Sequence, residues 1–398
     1  MTQWRSRSLP KVTMIPAGHA AGSLHKLMPR KVVWKAPSHI IRSLSDAASD
    51  YKQEHHACMD EESKELVRSI KSATFLLNKN NLTRTAAYLA FFKSYKEIEW
   101  AFLAHMVSRN AGYYMTDLKG EFIPRLMCEN ERNRWFLFLE HSNYMIFHDA
   151  YPQLLLYAES KKRKKALFHL LPYFGVSKLM VSVWNTFFTN RKYRKLLTVF
   201  LIINEQNYIE ERIVKSIDHG MLLQSSSFKW QEILHFSQIV LSDGKKLYGA
   251  VAKKFGIWKE RVSLGSALYA ILFSPEKFQS FLQYAVNVPH TGSRADCVSH
   301  IFSPDGTPEA CYLKERLRFF SLKKGASHLF SPSLVSAWPQ TERPFIKNED
   351  WYRDMNEIKD CLTITRPSWQ QAHTSYYSSL HKLELTVLAH EWIKLQKK

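Results

Sequence analysis

The sequence is short of glycine, proline and long apolar runs. Its 398 residues include 13 glycines and 15 prolines, too few for the many turns of an all-β protein. No uninterrupted apolar run approaches the roughly 18 residues that a membrane-spanning helix needs. The stretch 196–203, broken only by Thr198, is among the longest. No short apolar segment follows the basic N-terminus, so we expect neither a transmembrane segment nor a secretory signal.

The chain also lacks paired cysteines and the usual catalytic signatures. Its five cysteines are scattered and odd in number, which is typical of free thiols in a reducing cytoplasm. Nucleophile-elbow, zinc-protease, Cys-x-x-Cys and dinucleotide-binding patterns are absent from the sequence. His55, His56 and Cys58 lie close together, as do Glu232 and His235, but neither group supplies the full ligand set of a metal site. The sequence therefore predicts a cytoplasmic protein without a metal, and it identifies no cofactor.

Positive charge is in excess along the whole chain. Lysine and arginine total 56 against 36 acidic residues, a net charge of +20. Residues 1–45 carry eight bases and no acid, and we interpret them as a basic arm, either mobile or laid over the body. A helical core over 46–300 follows, then an irregular extension over 301–398 that ends in a helix and packs on the core. Such a charge favours a polyanionic partner, namely nucleic acid, an anionic lipid surface or a phosphorylated small molecule.

Two basic runs concentrate this charge. The first is a KKRKK stretch at the end of a predicted helix, and the second is an RKYRK stretch that begins another. Cations at a helix N-terminus oppose the helix dipole, so local stability does not favour the second run. We therefore predict polyanion binding, with nucleic acid as the first choice, through Lys161, Lys162, Arg163, Lys164, Lys165, Arg191, Lys192, Arg194 and Lys195. The alternative interpretation is a solvated surface that binds nothing.

Apolar periodicity predicts an all-α fold, a large multi-helix domain. Between Ile98 and Val107 only Glu99 and His105 are not apolar, and a helix that is apolar all round belongs in the middle of a protein. We expect Ser94 to cap this central helix and the pair 111–112 to end it. We also expect a helix over about 130–147 that stops at a corner over 148–152, and a helix over 245–253.

Polar groups cluster directly after the central helix and again far along the chain. His105 and Arg109 share one helix face, and a loop around Gly292 carries a second set of similar groups. Helical bundles often bring such distant segments together at one end, where pockets are common. We call the combined set the polar corner: His105, Arg109, Asn110, Asp117, His290, Arg294 and Asp296.

Two interpretations of the polar corner stay open. In the functional one, His105 carries a proton and the two arginines hold an anion, as in an enzyme acting on a phosphorylated or carboxylated small molecule. In the structural one, the aspartates neutralise the arginines. Removing Arg294 would leave stability unchanged in the first case and lower it in the second. For Arg294 the sequence narrowly favours the anion site.

Several segments of the sequence resemble, in the same order, those of a known family. TRTAAYLAFF, LAHMVSRNAGYYMTDLKGE, IFHDAYPQLLLYAES, LLTVFLIINEQNYIE and PHTGSRAD, spread over about residues 83–339, are similar to the YppC-like family, domain of unknown function 2515. This family is found in Bacillus and related Firmicutes. The resemblance implies an uncharacterised bacterial intracellular protein and carries over no activity. Neither the resemblance nor the residues indicate an oligomeric state.

Overall fold

A computed structural model describes residues 31–49, 59–210, 238–251, 257–339, 341, 343–344, 350–366 and 372–396. Helices dominate these residues, which confirms the predicted all-α fold class. The strands are short and lie in two-stranded pairs. Within the same residues, no helix has both the length and the apolar character needed to cross a bilayer.

The described residues contain thirteen α-helices. The α-helices are α1 Ser38–Ser49, α2 Glu61–Leu77, α3 Asn81–Ser94, α4 Glu99–Asp117, α5 Ile123–Leu126, α6 Glu129–Arg163, α7 Lys178–Thr189, α8 Arg194–Ile209, α9 Trp258–Leu272, α10 Phe278–Asn287, α11 Ala295–Val298, α12 Leu334–Ala337 and α13 His373–Gln396. Turns of 3-10 helix cover Phe168–Phe174, Arg191–Tyr193, Met355–Glu357 and Lys359–Cys361.

The strands form four separate pairs. They are β1 Lys31–Lys35, β2 Gln238–Ser242, β3 Leu247–Val251, β4 Phe302–Ser303, β5 Leu317–Arg318, β6 Ser321–Leu322, β7 Leu329–Phe330 and β8 Thr363–Arg366. β1 pairs antiparallel with β8, β2 with β3 and β5 with β6, whereas β4 and β7 are parallel. Strand β1 and helix α1 belong to the predicted basic arm, and α1 packs on α7. Residues 1–30 of that arm lie outside the described residues.

Helix α4 is the centre of the fold, as its composition predicts. Trp100, Phe102 and Met115 have at most 1% of their surface exposed, and α3, α6 and α8 pack around the helix. A buried ion pair between Arg84 and Glu140 joins α3 to α6. This arrangement places most of α4 inside the molecule, so its polar residues His105, Arg109 and Asn110 are buried as well.

The predicted end of α4 at Gly112 is wrong, because the helix continues to Asp117. A Cβ atom on Gly112 would lie 2.5 Å from Oδ1 of Asn81 and 2.6 Å from Nε2 of His290. Gly112 therefore serves close packing inside a helix instead of a left-handed helix end. The predicted start is also wrong, since Ser94 is the last residue of α3 and Ile98 precedes α4.

The predicted corner over 148–152 is wrong too, because α6 passes through it as one helix of 35 residues. A proline inside a helix costs about 3 kcal/mol. Pro152 and Leu154 are buried in the core, and the side chain of Gln153 donates to the carbonyl of Asp149 at 3.2 Å. Burial in the core thus outweighs the local cost of the proline.

The helix predicted over 245–253 is wrong for 245–251, which contribute to the β2–β3 hairpin, and 252–253 lie outside the described residues. The turn contains Asp243 and Gly244, whose φ is +86°. The Asp243 carboxylate accepts hydrogen bonds from the backbone N–H groups of Lys245 at 2.9 Å and Lys246 at 2.7 Å. An Asp-Gly pair is a strong hairpin signal, and here it outweighs helical periodicity.

Candidate functional site

The two segments of the polar corner lie against each other. Arg109 on α4 donates from Nη1 to the carbonyl of Val288 at 2.7 Å. Arg294, in the loop that leads into α11, reaches back to Asp117 at the end of α4. Asn110 accepts a hydrogen bond from the backbone of Val240 at 3.1 Å and so ties α4 to β2.

Arg294 is neutralised by Asp117. Its Nη2 lies 2.6 Å and its Nε 3.0 Å from Oδ2 of the carboxylate, a two-point ion pair. Only 4% of the Arg294 surface is exposed. Burial alone would lower the pKa of this guanidinium, but Asp117 and neighbouring tyrosines raise it. The pairing supports the structural interpretation of Arg294 over the anion site that the sequence narrowly favoured.

Arg109 is held without a direct carboxylate. Among the described residues no acid lies within 4.0 Å of it. Besides the Val288 carbonyl, it donates to the hydroxyls of Tyr113 and Tyr284, each at 3.3 Å. The Tyr284 ring lies 4.8 Å below the guanidinium. The charge is thus stabilised by a carbonyl, two phenols and an aromatic face.

The two histidines of the corner are neutral at pH 7. Burial lowers the pKa of His105 to about 3 and that of His290 to about 4. His105 donates from Nδ1 to the Thr85 carbonyl at 2.8 Å, because a carbonyl can only accept. Asp296 lies 3.4 Å from Nδ1 of His290 and also accepts from Thr291. A proton carrier works best with a pKa near the operating pH, so neither histidine suits that task.

Arg109 and Arg294 line the same cavity. Its volume is about 10 Å³, near the lower limit for one water molecule. Tyr113, Tyr284 and Cys297 are also in its wall, and burial raises the pKa of the Cys297 thiol to about 12. The thiol is therefore protonated at neutral pH and is a poor nucleophile. A phosphorylated small molecule does not fit a cavity of this size.

The two basic runs meet at one end of the molecule, which we call the basic end: Lys161–Lys165, Arg191, Lys192, Arg194 and Lys195. Lys161 pairs with Glu97 at 2.5 Å, and Arg194 pairs with Glu99 at 3.3 Å. These two glutamates are two residues apart at the start of α4. The end of α6 and the start of α8 therefore share one surface.

Most of the charge at the basic end faces solvent. Four carboxylates, those of Glu62, Glu97, Glu99 and Glu159, lie within 4.0 Å of its nine cations. Arg191 instead packs among the rings of Tyr157, Phe187 and Phe188, at 5.1, 4.9 and 4.6 Å. Four exposed lysines have no carboxylate within 4.0 Å among the described residues: Lys164, Lys165, Lys192 and Lys195.

One further cluster of polar side chains was not predicted from the sequence. Glu315, His381 and Glu384 place their donor atoms within 4.8 Å of one another. Glu384 already accepts from the backbone of Arg316 at 2.7 Å and of Leu317 at 3.1 Å. Glu315 pairs with Lys323 and with His381, each at 2.5 Å. Protein donors thus satisfy these carboxylates, and only the spacing of His381 and Glu384 on one helix hints at the cluster in the sequence.

The candidate metal ligands His55, His56, Cys58, Glu232 and His235 lie outside the described residues. Among the rest, four cysteines, 128, 297, 311 and 361, are free thiols.

Comparison with known proteins identifies relatives but no activity. The family model described as protein of unknown function (DUF2515) matches residues 76–367. The uncharacterized protein YppC of Bacillus subtilis (strain 168) is 42% identical over 235 residues, which cover 58% of this chain and 73% of YppC. No solved structure matches the chain.

Proposed function

The chain belongs to the DUF2515 family of proteins of unknown function, and from this premise we propose that it binds nucleic acid through the basic end. The observation that carries the proposal is the meeting of the two basic runs beside Glu97 and Glu99. Residues 30 positions apart in the sequence thereby form one cationic surface. Local stability explains the first run, which lies at the end of α6, but not the second, because cations at the start of α8 oppose the helix dipole.

The unpaired lysines support a phosphate-contacting role. Lys164, Lys165, Lys192 and Lys195 are exposed and have no carboxylate within 4.0 Å among the described residues. An exposed lysine of this kind can exchange its counterions for phosphates with little rearrangement. Arg191 has a different role, because its guanidinium packs between aromatic rings and holds the start of α8 in place.

An enzyme acting on a phosphorylated or carboxylated small molecule is the alternative. One observation favours it: Arg109 and Arg294 line a common cavity. The cavity volume of about 10 Å³ and the pairing of Arg294 with Asp117 weigh against it. The basic end therefore has the stronger support.

The salt dependence of nucleic-acid binding tests this proposal. The plot of log affinity against log salt has a negative slope, and each lost phosphate contact should reduce its magnitude by about 0.7–0.9. Replacing the four unpaired lysines with alanine should therefore reduce the magnitude of the slope by about 3. The matched control replaces four exposed lysines elsewhere, Lys71, Lys79, Lys245 and Lys382, and should leave the slope close to that of the parent. Equal slopes for the two variants, or no binding at about 50 mM salt, would overturn the proposal.

A further inference from the structure

The tip of the β5–β6 hairpin exposes an aromatic ring on a residue whose φ is positive. Phe319 and Phe320 connect the two strands, and φ of Phe319 is +50°. Glycine or asparagine normally occupies such a position, because a side chain is disfavoured there. The Phe319 side chain is nevertheless 73% exposed. The fold neither buries this ring nor needs a phenylalanine for the turn, so its presence calls for a function.

The base of the hairpin is rigid, so the tip is held in a defined place. The backbone N–H groups of Arg316 and Leu317 donate to the Glu384 carboxylate of α13, which is fully buried. Leu317 itself is 1% exposed. A binding group on a rigid support loses less entropy when it engages a ligand.

An open cleft of about 540 Å³ lies beside the Phe319 ring. Its volume falls in the usual range for small-ligand sites. Three cations line it: Arg318, Lys323 and Lys324. Among the described residues, neither Arg318 nor Lys324 has a carboxylate within 4.0 Å, whereas Lys323 pairs with Glu315. The Glu315 carboxylate is also in the wall, but it is paired with Lys323 and His381, so the cleft combines an exposed aromatic face with two unpaired positive charges.

We propose that this cleft binds one unpaired nucleotide of a single-stranded nucleic acid. The base stacks on Phe319, and Arg318 and Lys324 contact the adjacent phosphate. Stacking on an aromatic side chain is open to every base, but only when the base face is free, as in a single strand. The residues are separate from the basic end, so the inference goes beyond the proposed function and names the form of nucleic acid that is bound.

An anionic bilayer is the other partner that an aromatic tip with cations could meet. A bilayer surface would engage the convex tip of the hairpin. Here Arg318, Lys323 and Lys324 line a concave cleft that also includes the Phe319 ring and His381. The concave arrangement suits a base with its phosphate better than it suits a membrane surface.

Replacing Phe319 with glycine separates binding from folding. Glycine suits the positive φ, so Phe319→Gly should fold and melt at or above the temperature of the parent. We expect its affinity for a fluorescent octathymidylate, measured by anisotropy, to fall about tenfold, and Phe319→Trp to retain binding. The control Trp392→Ala removes another exposed aromatic ring, on α13, and should not change affinity.

Three arms test the proposal against its competitors. Phe319→Gly is also made in the variant that lacks the four unpaired lysines of the basic end. If it lowers the affinity for the octathymidylate by the same factor there as in the parent, the cleft acts independently of that surface. Equal binding of an abasic octamer, or unchanged affinity of Phe319→Gly for the octathymidylate, would overturn the proposal. Phe319-dependent binding to phosphatidylglycerol vesicles without binding to the oligonucleotide would assign the tip to a membrane instead, and would leave the test of the basic end unaffected.

Discussion

The polar corner and the basic end use the same kinds of side chain in opposite ways. In the corner, Arg109 and Arg294 are at most 4% exposed, and carbonyl, phenol and carboxylate oxygens occupy their donors. At the basic end, Lys164 and Lys192 face solvent with no carboxylate within 4.0 Å among the described residues. A charged group whose hydrogen bonds are already made inside the fold stabilises the fold. A charged group without such partners remains available for a ligand.

The largest effect we expect comes from breaking the corner. Arg294→Ala leaves Asp117 without its partner. Losing one member of a buried ion pair costs about 3–5 kcal/mol, and because the Asp117 side chain is 24% exposed we expect a loss at the lower end, about 3 kcal/mol. Urea unfolding should show this loss. The matched change at the basic end, Lys164→Ala, should stay within about 0.5 kcal/mol of the parent because its side chain is exposed.

Unchanged stability of Arg294→Ala would support the interpretation of the corner as an anion site. If Arg294→Ala melts at the temperature of the parent, and phosphate raises the melting temperature of the parent, then Asp117 does not neutralise the arginine. A further check combines Asp117→Ala with Arg294→Ala. The double variant should lose less stability than the sum of the single variants, since it leaves no unpaired charge.

A second effect, of about 1.4 kcal/mol for each pH unit, should appear when the corner is titrated. The folded-state pKa of His290 is lowered to about 4 by burial, below the ordinary value of 6.5. The unfolded chain therefore binds the proton first as the pH falls. The stability is fully present above pH 6.5 and is lost towards pH 4, by about 1.4 kcal/mol per pH unit for one proton. His105, whose pKa is lowered to about 3, acts in the same direction.

The basic end supplies the control for this titration. Lysine and arginine stay charged between pH 4 and 6.5, so the variant without the four unpaired lysines should keep the full pH dependence. His290→Gln should reduce the slope of unfolding free energy against pH by about one proton. An unchanged slope for His290→Gln would mean that this imidazole does not stay neutral in the folded protein.

The sequence predicts the features that depend on neighbours along the chain. Residues 98–107 are apolar except for Glu99 and His105, and 99–107 do form the largely buried first half of α4. The all-α class follows from many such segments. The sequence also singled out the two corner segments, because each concentrates Arg, His and Asp near a glycine, but it left open whether they meet.

The failures at Gly112, Pro152 and Arg294 come from residues whose partners are distant in sequence, whereas the missed β2–β3 hairpin carries a local Asp-Gly signal. Gly112 is required because Asn81 and His290 approach α4 from 31 and 178 residues away, and no local pattern reports that. Pro152 is tolerated because it is buried in the core. The ion pair of Arg294 with Asp117 spans 177 residues, so composition alone could not separate a structural arginine from an anion-binding one.

The smallest effect we expect has opposite signs for stability and for binding. Lys192 is exposed in the turn that leads into α8, where a positive charge opposes the helix dipole. Lys192→Glu should therefore raise the unfolding free energy by about 0.3–1 kcal/mol at low salt, and this gain should shrink as salt screens the charges. The same change should weaken nucleic-acid binding at the basic end, because a phosphate contact is replaced by a repulsion. Urea unfolding and anisotropy titrations on one preparation measure both quantities. A residue kept for folding would lose stability when its charge is reversed, whereas one kept for a ligand gains stability and loses affinity. If Lys192→Glu lowers both the unfolding free energy and the affinity, Lys192 has a structural role like the corner residues and does not belong to the proposed binding surface.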